Sequence, residues 1–199
     1  MNELKFLDSL AKSFEKLPNV GKKTASRYAY YIVENLSNQE VEDFAKTLVD
    51  TKAKVHRCNK CGMLTTENIC PICSDLTRDR KKIMVVKDTK NVLAVEKSKT
   101  YNGLYHCLNG LINPSNGIGP DDLNIDTIDS RLSKDTEIIL ATSFTPEGET
   151  TALYLEKIFL KKGYNVSRIG YGIPAGGDLE FIDELTLKRA IDSRIKSEK

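Results

Sequence analysis

No stretch of the chain approaches the roughly 18 consecutive apolar residues that a membrane span requires, so a transmembrane helix is not expected. The opening Met1–Leu17 segment is amphipathic and lacks the charged stub and apolar core of a secretory leader. The chain therefore reads as a soluble, cytoplasmic protein. An excess of either charge is also missing: 30 basic and 28 acidic residues leave a formal charge of +2, which excludes a uniformly positive coat. Any nucleic-acid surface must then be local. No internal repeat, low-complexity tract or long linker interrupts the 199 residues, and with 40% of them hydrophobic the chain can bury a core, which excludes a disordered polymer.

What charge there is lies unevenly, with 15 basic and 11 acidic side chains in residues 1–82 and the acidic excess in the remainder. Leu4, Leu7, Leu10, Ala11, Phe14 and Leu17 recur at helical spacing and predict a first helix that stops at Pro18. The stripe restarts with Ala25, Tyr28, Ala29, Ile32, Val33 and Leu36, so a very tight turn joins two helices. Ser37-Asn38-Gln39-Glu40 reads as a capping box opening a third helix through Val49.

Of only five cysteines, four form two close pairs, Cys58-x2-Cys61 and Cys70-x2-Cys73. In a reducing compartment this spacing suits one tetrahedral ion held by four thiolates, a closed structural zinc site. A redox dithiol would need only one pair. Residues 58–73 hold too few large apolar side chains for a core of their own, so the metal is expected to hold them. His56 reads as a surface bystander and Cys107, in an apolar run, as a buried inert thiol.

From residue 83 the texture changes. Ile83–Val86, Leu104–Leu108, Ile138–Ala141 and Val166–Ile169 predict strands, alternating with helical patterns at Val92–Lys97, Asp121–Leu132 and Thr150–Lys161. That alternation predicts an α/β domain with a mostly parallel sheet covered on both faces. Two motifs mislead. Gly21-Lys22-Lys23-Thr24 lacks the first glycine of a P-loop and follows a helix, and in Gly170–Gly177 the third glycine comes late while Pro174 interrupts the turn, so a structural loop is expected.

The turn itself, Leu17-Pro18-Asn19-Val20-Gly21, leads into Lys22, Lys23, Thr24, Ala25, Ser26 and Arg27. A helix N-terminus flanked by Lys23 and Arg27 on one face, with Lys22 and Thr24 beside them, is a ready site for a phosphodiester; an ordinary solvated basic face is the plainer alternative. Such contacts read charge and geometry, so binding would be sequence-independent and salt-sensitive. The pattern resembles the helix-hairpin-helix of DNA-repair proteins. The residue before Val20, usually glycine in that module, is Asn19 here, the side chain best able to replace glycine at positive φ.

The strand order and Glu147-Gly148-Glu149-Thr150-Thr151-Ala152 resemble a Toprim domain. Catalytic members end the first strand on Glu and a later one on Asp-x-Asp, whereas this chain has Lys87 at the first position and no Asp in 142–149. Metal-dependent chemistry would fall to Asp88, Glu147 and Glu149; helix capping is the competing role for the two glutamates.

Taken in order, the hairpin, the four cysteines, Tyr101-x-Gly103-x-Tyr105-His106, Gly117-Ile118-Gly119-Pro120, Ile139–Thr142, Glu147–Ala152 and Gly172–Glu180 resemble the RecR family of bacterial recombination mediators over nearly the whole chain. The resemblance implies an α/β protein with a helix-hairpin-helix domain at 1–53, a four-cysteine (C4) zinc finger at 54–77, a Toprim domain at 78–175 and a helical C-terminal segment at 176–199 that contacts a neighbouring protomer. It also implies a non-enzymatic, nucleoid-associated protein that assembles as a dimer to tetramer ring on DNA and acts with RecO, and with RecF in some settings, to help load RecA at gaps coated by single-strand-binding protein. Asn19, Gly21, Lys22, Lys23, Thr24 and Arg27 would face DNA, Glu147 and Glu149 would lie in the partner-contacting region, and Cys58, Cys61, Cys70 and Cys73 would hold one Zn²⁺. A metal-dependent Toprim nuclease or primase-like enzyme is the alternative, and a zinc-stabilised interaction module without DNA contact a third reading.

Overall fold

Ser37 and Glu40 close a reciprocal capping box: the Ser37 side chain accepts from the Glu40 N–H at 3.3 Å and the Glu40 carboxylate accepts from the Ser37 N–H at 2.8 Å. This starts α3 (Asn38–Lys54), with only Leu36 and Ser37 between it and the end of α2 (Lys22–Asn35). The computed structural model describes residues 4–170, 172–173 and 176–194, which form two compact units divided after Val55.

In the first unit α1 (Lys5–Phe14) packs on α2, with Phe14 edge-on to Tyr28 at 5.7 Å and Ala25 and Ala29 fully buried between them. Alanine at the contact lets two helices approach closely without side-chain entropy loss. The first helix ends at Phe14, short of Leu17, the last residue of the stripe: the proline ring disfavours helical geometry in the residue before it, and the chain tightens into a turn in which Leu17 N–H bonds Phe14 O at 3.0 Å.

The second unit is built on a four-stranded parallel sheet in the order β4-β3-β5-β6, from β3 (Asp79–Val86), β4 (Gly103–Cys107), β5 (Glu137–Leu140) and β6 (Asn165–Arg168). Alternate residues of β3 divide two cores. Ile83 and Val85 face Ala152, Leu155 and Phe159 of α6 (Pro146–Lys161) together with Leu123 and Ile128. Met84 and Val86 face the opposite way, toward Val92 of α5 (Thr89–Ser98), Tyr105, Cys107 and all four paired cysteines. The cysteine segment, with β1 (His56–Arg57), β2 (Leu64–Thr65) and the single turn α4 (Pro71–Ser74), thus shares the sheet's core, a packing contribution beside the metal that the sequence did not mark.

Asp121–Leu132 is not an α-helix. It forms two 3₁₀ turns, Pro120–Asp122 and Asp126–Arg131, because Asp122 takes up the Gly119 N–H and Ile125, Ile128 and Leu123 sit at spacings that pin short turns to the sheet. Helix α7 (Glu184–Asp192) follows the 3₁₀ turn Leu179–Phe181. Tyr171, Pro174, Ala175 and Ile195, parts of the glycine-rich loop and the C-terminal motif read from sequence, lie outside the described residues. Among the described residues no helix is long and apolar enough to cross a membrane.

Candidate nucleic-acid interface and metal centre

Asn19 adopts φ +63°, the left-handed conformation that the asparagine substitution requires, and turns the chain from α1 into α2. Val20 N–H bonds Leu17 O at 3.2 Å across the turn and half-buries its side chain, while Ala25 N–H bonds Gly21 O at 2.9 Å as the first full helical bond. At the start of α2 no side chain caps the helix and no acidic residue occupies the first turn, so the positive end of the dipole is left uncompensated. Asn19, Gly21, Lys22, Lys23 and Arg27 are exposed or nearly so and Thr24 is half-buried. A Cβ built on Gly21 would touch nothing within 4 Å, which leaves open space above the backbone amides. Arg27 lies with its guanidinium carbon 5.8 Å from the Tyr28 ring centre, a cation backed by an aromatic. The structure therefore brings all six hairpin residues onto one short stretch with cationic side chains and free amides.

The four paired cysteines are buried, unbridged, and place their sulfurs within 4.8 Å of one another. Four ligands about 2.3 Å from one tetrahedral ion lie about 3.8 Å apart, so the cage has the right size; Cys61 and Cys70 sulfurs are 3.6 Å apart. Backbone amides already point at them: Cys70 N–H at 3.2 Å and Lys60 N–H at 3.5 Å donate to Cys58 Sγ, and Cys73 N–H donates to Cys70 Sγ at 3.5 Å. Donors aimed at sulfur favour thiolate. Hydrogen bonds from Cys61 and Cys73 lower the Cys70 thiol, and the bond to Cys70 raises Cys61 in turn. For Cys73 the bond from Cys61 pulls downward, the bond to Cys70 and burial outweigh it and leave the thiol raised, and the charge of Arg131 acts in the lowering direction. A dication held by Cys58, Cys61, Cys70 and Cys73 would favour all four as thiolates. Gly62, φ +75°, follows the second ligand where a Cβ would lie 2.6 Å from Asn124 Nδ2 and 2.9 Å from Cys107 O, so the knuckle requires glycine. His56 is exposed and outside the cage, and Cys107 is buried, its thiol pushed up to about 12 by burial first.

The acidic candidates of the sheet domain do not converge. Asp88 caps α5, its carboxylate accepting from Lys90 N–H at 2.9 Å and Asn91 N–H at 3.3 Å. Glu147 shares with Lys87, Asp88, Lys90 and Thr145 a cleft of about 590 Å³ at the carboxyl end of the strands. Glu149, in the same first turn of α6, is forked by Arg168, at 3.0 and 2.9 Å. Among the described residues these three acids form no metal-holding group. Sequence reasoning missed two residues here, Arg168 and Arg131, whose partners are fixed by folding; no local signal marks either.

Fold and site define a class: Toprim-type α/β proteins joined to a four-cysteine zinc finger and a helix-hairpin-helix unit. Family models match the chain in consecutive blocks, described as RecR helix-hairpin-helix at residues 7–52, RecR four-cysteine zinc finger domain at 55–75, Toprim domain at 81–170 and RecR C-terminal at 172–195. A recombination protein RecR of Streptococcus thermophilus is 47% identical over 187 residues, 93% of this chain and 94% of the relative. That of Lactococcus lactis subsp. lactis (strain IL1403) is 45% identical over 189 residues, 94% of this chain and 95% of the relative. The chain belongs to the RecR family, and its four paired cysteines are that family's zinc site.

Proposed function

We propose that the protein is a non-enzymatic, cytoplasmic DNA-binding mediator of recombinational repair, which acts with RecO, and with RecF in some settings, to help load RecA at single-stranded gaps. The relatives' name, recombination protein, supports the role in recombination. The observation that carries DNA binding is the uncapped start of α2, flanked by Lys22, Lys23 and Arg27 with the turn held at Asn19 in the left-handed region. Asn19, Gly21, Lys22, Lys23, Thr24 and Arg27 grip phosphates by charge and backbone amide, without reading bases. One such contact set is weak on a chain with a formal charge of only +2, and repetition around a dimer to tetramer ring supplies the avidity. Residues 1–53, 54–77, 78–175 and 176–199 divide the work between DNA grip, zinc knot, sheet domain and protomer contact, with Glu147 and Glu149 in the region that meets RecO. Lys87 in place of an acid, with Asp88 spent on a helix cap, argues against metal-dependent strand cleavage by this domain.

The test is fluorescence anisotropy of labelled gapped DNA, with and without RecO, for wild type and Lys23→Glu/Arg27→Glu across a salt series. A folded, oligomeric double variant that loses binding, with wild-type affinity falling steeply with salt, supports the reading. Equal binding by both proteins sinks it, as does Mg²⁺-dependent DNA cleavage abolished by Glu147→Gln.

A further inference from the structure

Arg131 ends the 3₁₀ turn Asp126–Arg131, far along the chain from the cysteines, yet its Nη1 donates to two carbonyls beside them: Tyr105 O in β4 at 2.9 Å and Lys60 O at 3.3 Å. Lys60 lies inside the first knuckle, between Cys58 and Cys61. The other terminal nitrogen, Nη2, is buried without a hydrogen-bond acceptor among the described residues. Arg131 and Cys73 line one cleft of about 310 Å³ with Asn59, Lys60, Arg80, Leu104 and Ser130, and no acidic side chain lines it. Among the described residues, no carboxylate is within ion-pair distance of Arg131.

A guanidinium stays protonated in proteins, and Arg131 is half-buried with its Nη2 out of water, so a nearby counter-charge would offset the cost of that partial withdrawal. The missing counter-charge is at hand, because four thiolates on one dication leave the centre with an excess of negative charge. We propose that Arg131 is the counter-cation of the zinc–thiolate centre, a positioning residue that offsets the charge at Cys73 and ties the first knuckle to β4 through the Lys60 and Tyr105 carbonyls. Lys60 and Arg80, on the rim of the same cleft, add to the positive field. The zinc site is then completed by a residue of the sheet domain, and metal retention and the docking of Asp126–Arg131 stabilise each other.

The experiment measures Zn²⁺ affinity by chelator competition on the full chain for wild type, Arg131→Gln and Arg131→Lys, and records the thiolate-to-cobalt charge-transfer band of the Co²⁺-loaded proteins. Loss of the cation in Arg131→Gln is expected to weaken zinc binding by roughly 10- to 100-fold and to move the band to longer wavelength, since the thiolates lose a stabilising charge. Arg131→Lys, which keeps the charge, is expected to retain most of the affinity and the wild-type band. Unchanged affinity or an unmoved band in Arg131→Gln overturns the proposal, as does an equal loss in both variants, which would make the carbonyl contacts the whole effect. If Arg131→Gln cannot be obtained folded, Arg131→Lys decides alone: near-wild-type zinc retention sustains the proposal and a tenfold loss ends it. Zinc affinity intact with loss of binding to a single-stranded oligonucleotide would instead make the cleft an oxyanion site and also overturn it.

Discussion

The guanidinium of Arg168 forks onto the carboxylate of Glu149, Nη1 to Oε2 at 3.0 Å and Nη2 to Oε1 at 2.9 Å. Arg189 approaches the same Oε1 at 3.6 Å, so one carboxylate near the start of α6 links β6 to α7. Both partners of the fork are mostly withdrawn from solvent, which makes it stronger than a surface ion pair. Glu149→Gln should lower stability by about 1–3 kcal/mol in urea unfolding. A variant as stable as wild type would show the fork to be ornamental. Any loss of RecO binding by this variant must therefore be compared with Glu147→Gln, whose side chain makes no ion pair among the described residues.

Asn19 at φ +63° sets the direction of the hairpin. Asn19→Gly should leave stability equal or slightly higher, whereas Asn19→Val, β-branched in a left-handed position, should cost about 1–3 kcal/mol and weaken DNA binding. Paired denaturation and anisotropy titrations check this; a valine variant with wild-type behaviour in both would contradict it.

His106 is fully buried, its Nε2 2.6 Å from Asn124 O, and Nδ1 has no partner among the described residues. Burial holds its pKa down at about 4, with the nearby Arg131 charge acting in the same direction. An unfolded histidine takes its proton near 6.5, so as pH falls from there the unfolded state binds the proton first and stability declines, levelling off below about pH 4 at a cost of roughly 3 kcal/mol. Unfolding free energies of wild type and His106→Gln between pH 7 and 5 should diverge in slope. Parallel curves would show that His106 does not carry this effect.

The zinc knot and the sheet share one core, while the helical unit has its own contacts. Chelation of zinc, or Cys58→Ser, should raise hydrogen exchange in β3 and β4 and lower the melting temperature, with the amides of α2 keeping their protection. Wild-type melting after zinc removal would refute it.

Gly148 lies in α6 where an added methyl would collide with the Ser143 carbonyl, and Thr142 Oγ1 donates to Gly148 O at 2.8 Å. Gly148→Ala should therefore destabilise by about 1–3 kcal/mol despite alanine's better helix propensity, read as a lower urea midpoint. A stabilised variant would mean that the Ser143 loop yields freely.

Local signals carried far in this chain. The capping box at Ser37 and Glu40, the left-handed Asn19, the paired cysteine spacing and the four apolar runs act within a few residues, where periodicity and side-chain geometry suffice, and each is found where the sequence places it. The same reasoning failed at Asp121–Leu132, because apolar residues at helical spacing cannot tell an α-helix from short turns pinned to a sheet. It also gave no sign that the cysteine segment packs on the sheet.

The sequence by itself thus determined the hairpin, its basic face, the ligand set and the alternation of strands and helices, all written in neighbouring residues. Only the tertiary structure decided that the cysteines roof one face of the sheet, that Glu149 belongs to Arg168, and that Arg131 reaches the first knuckle. Those pairings join residues distant along the chain; burial and charge neutralisation select them only once the sheet has brought them together.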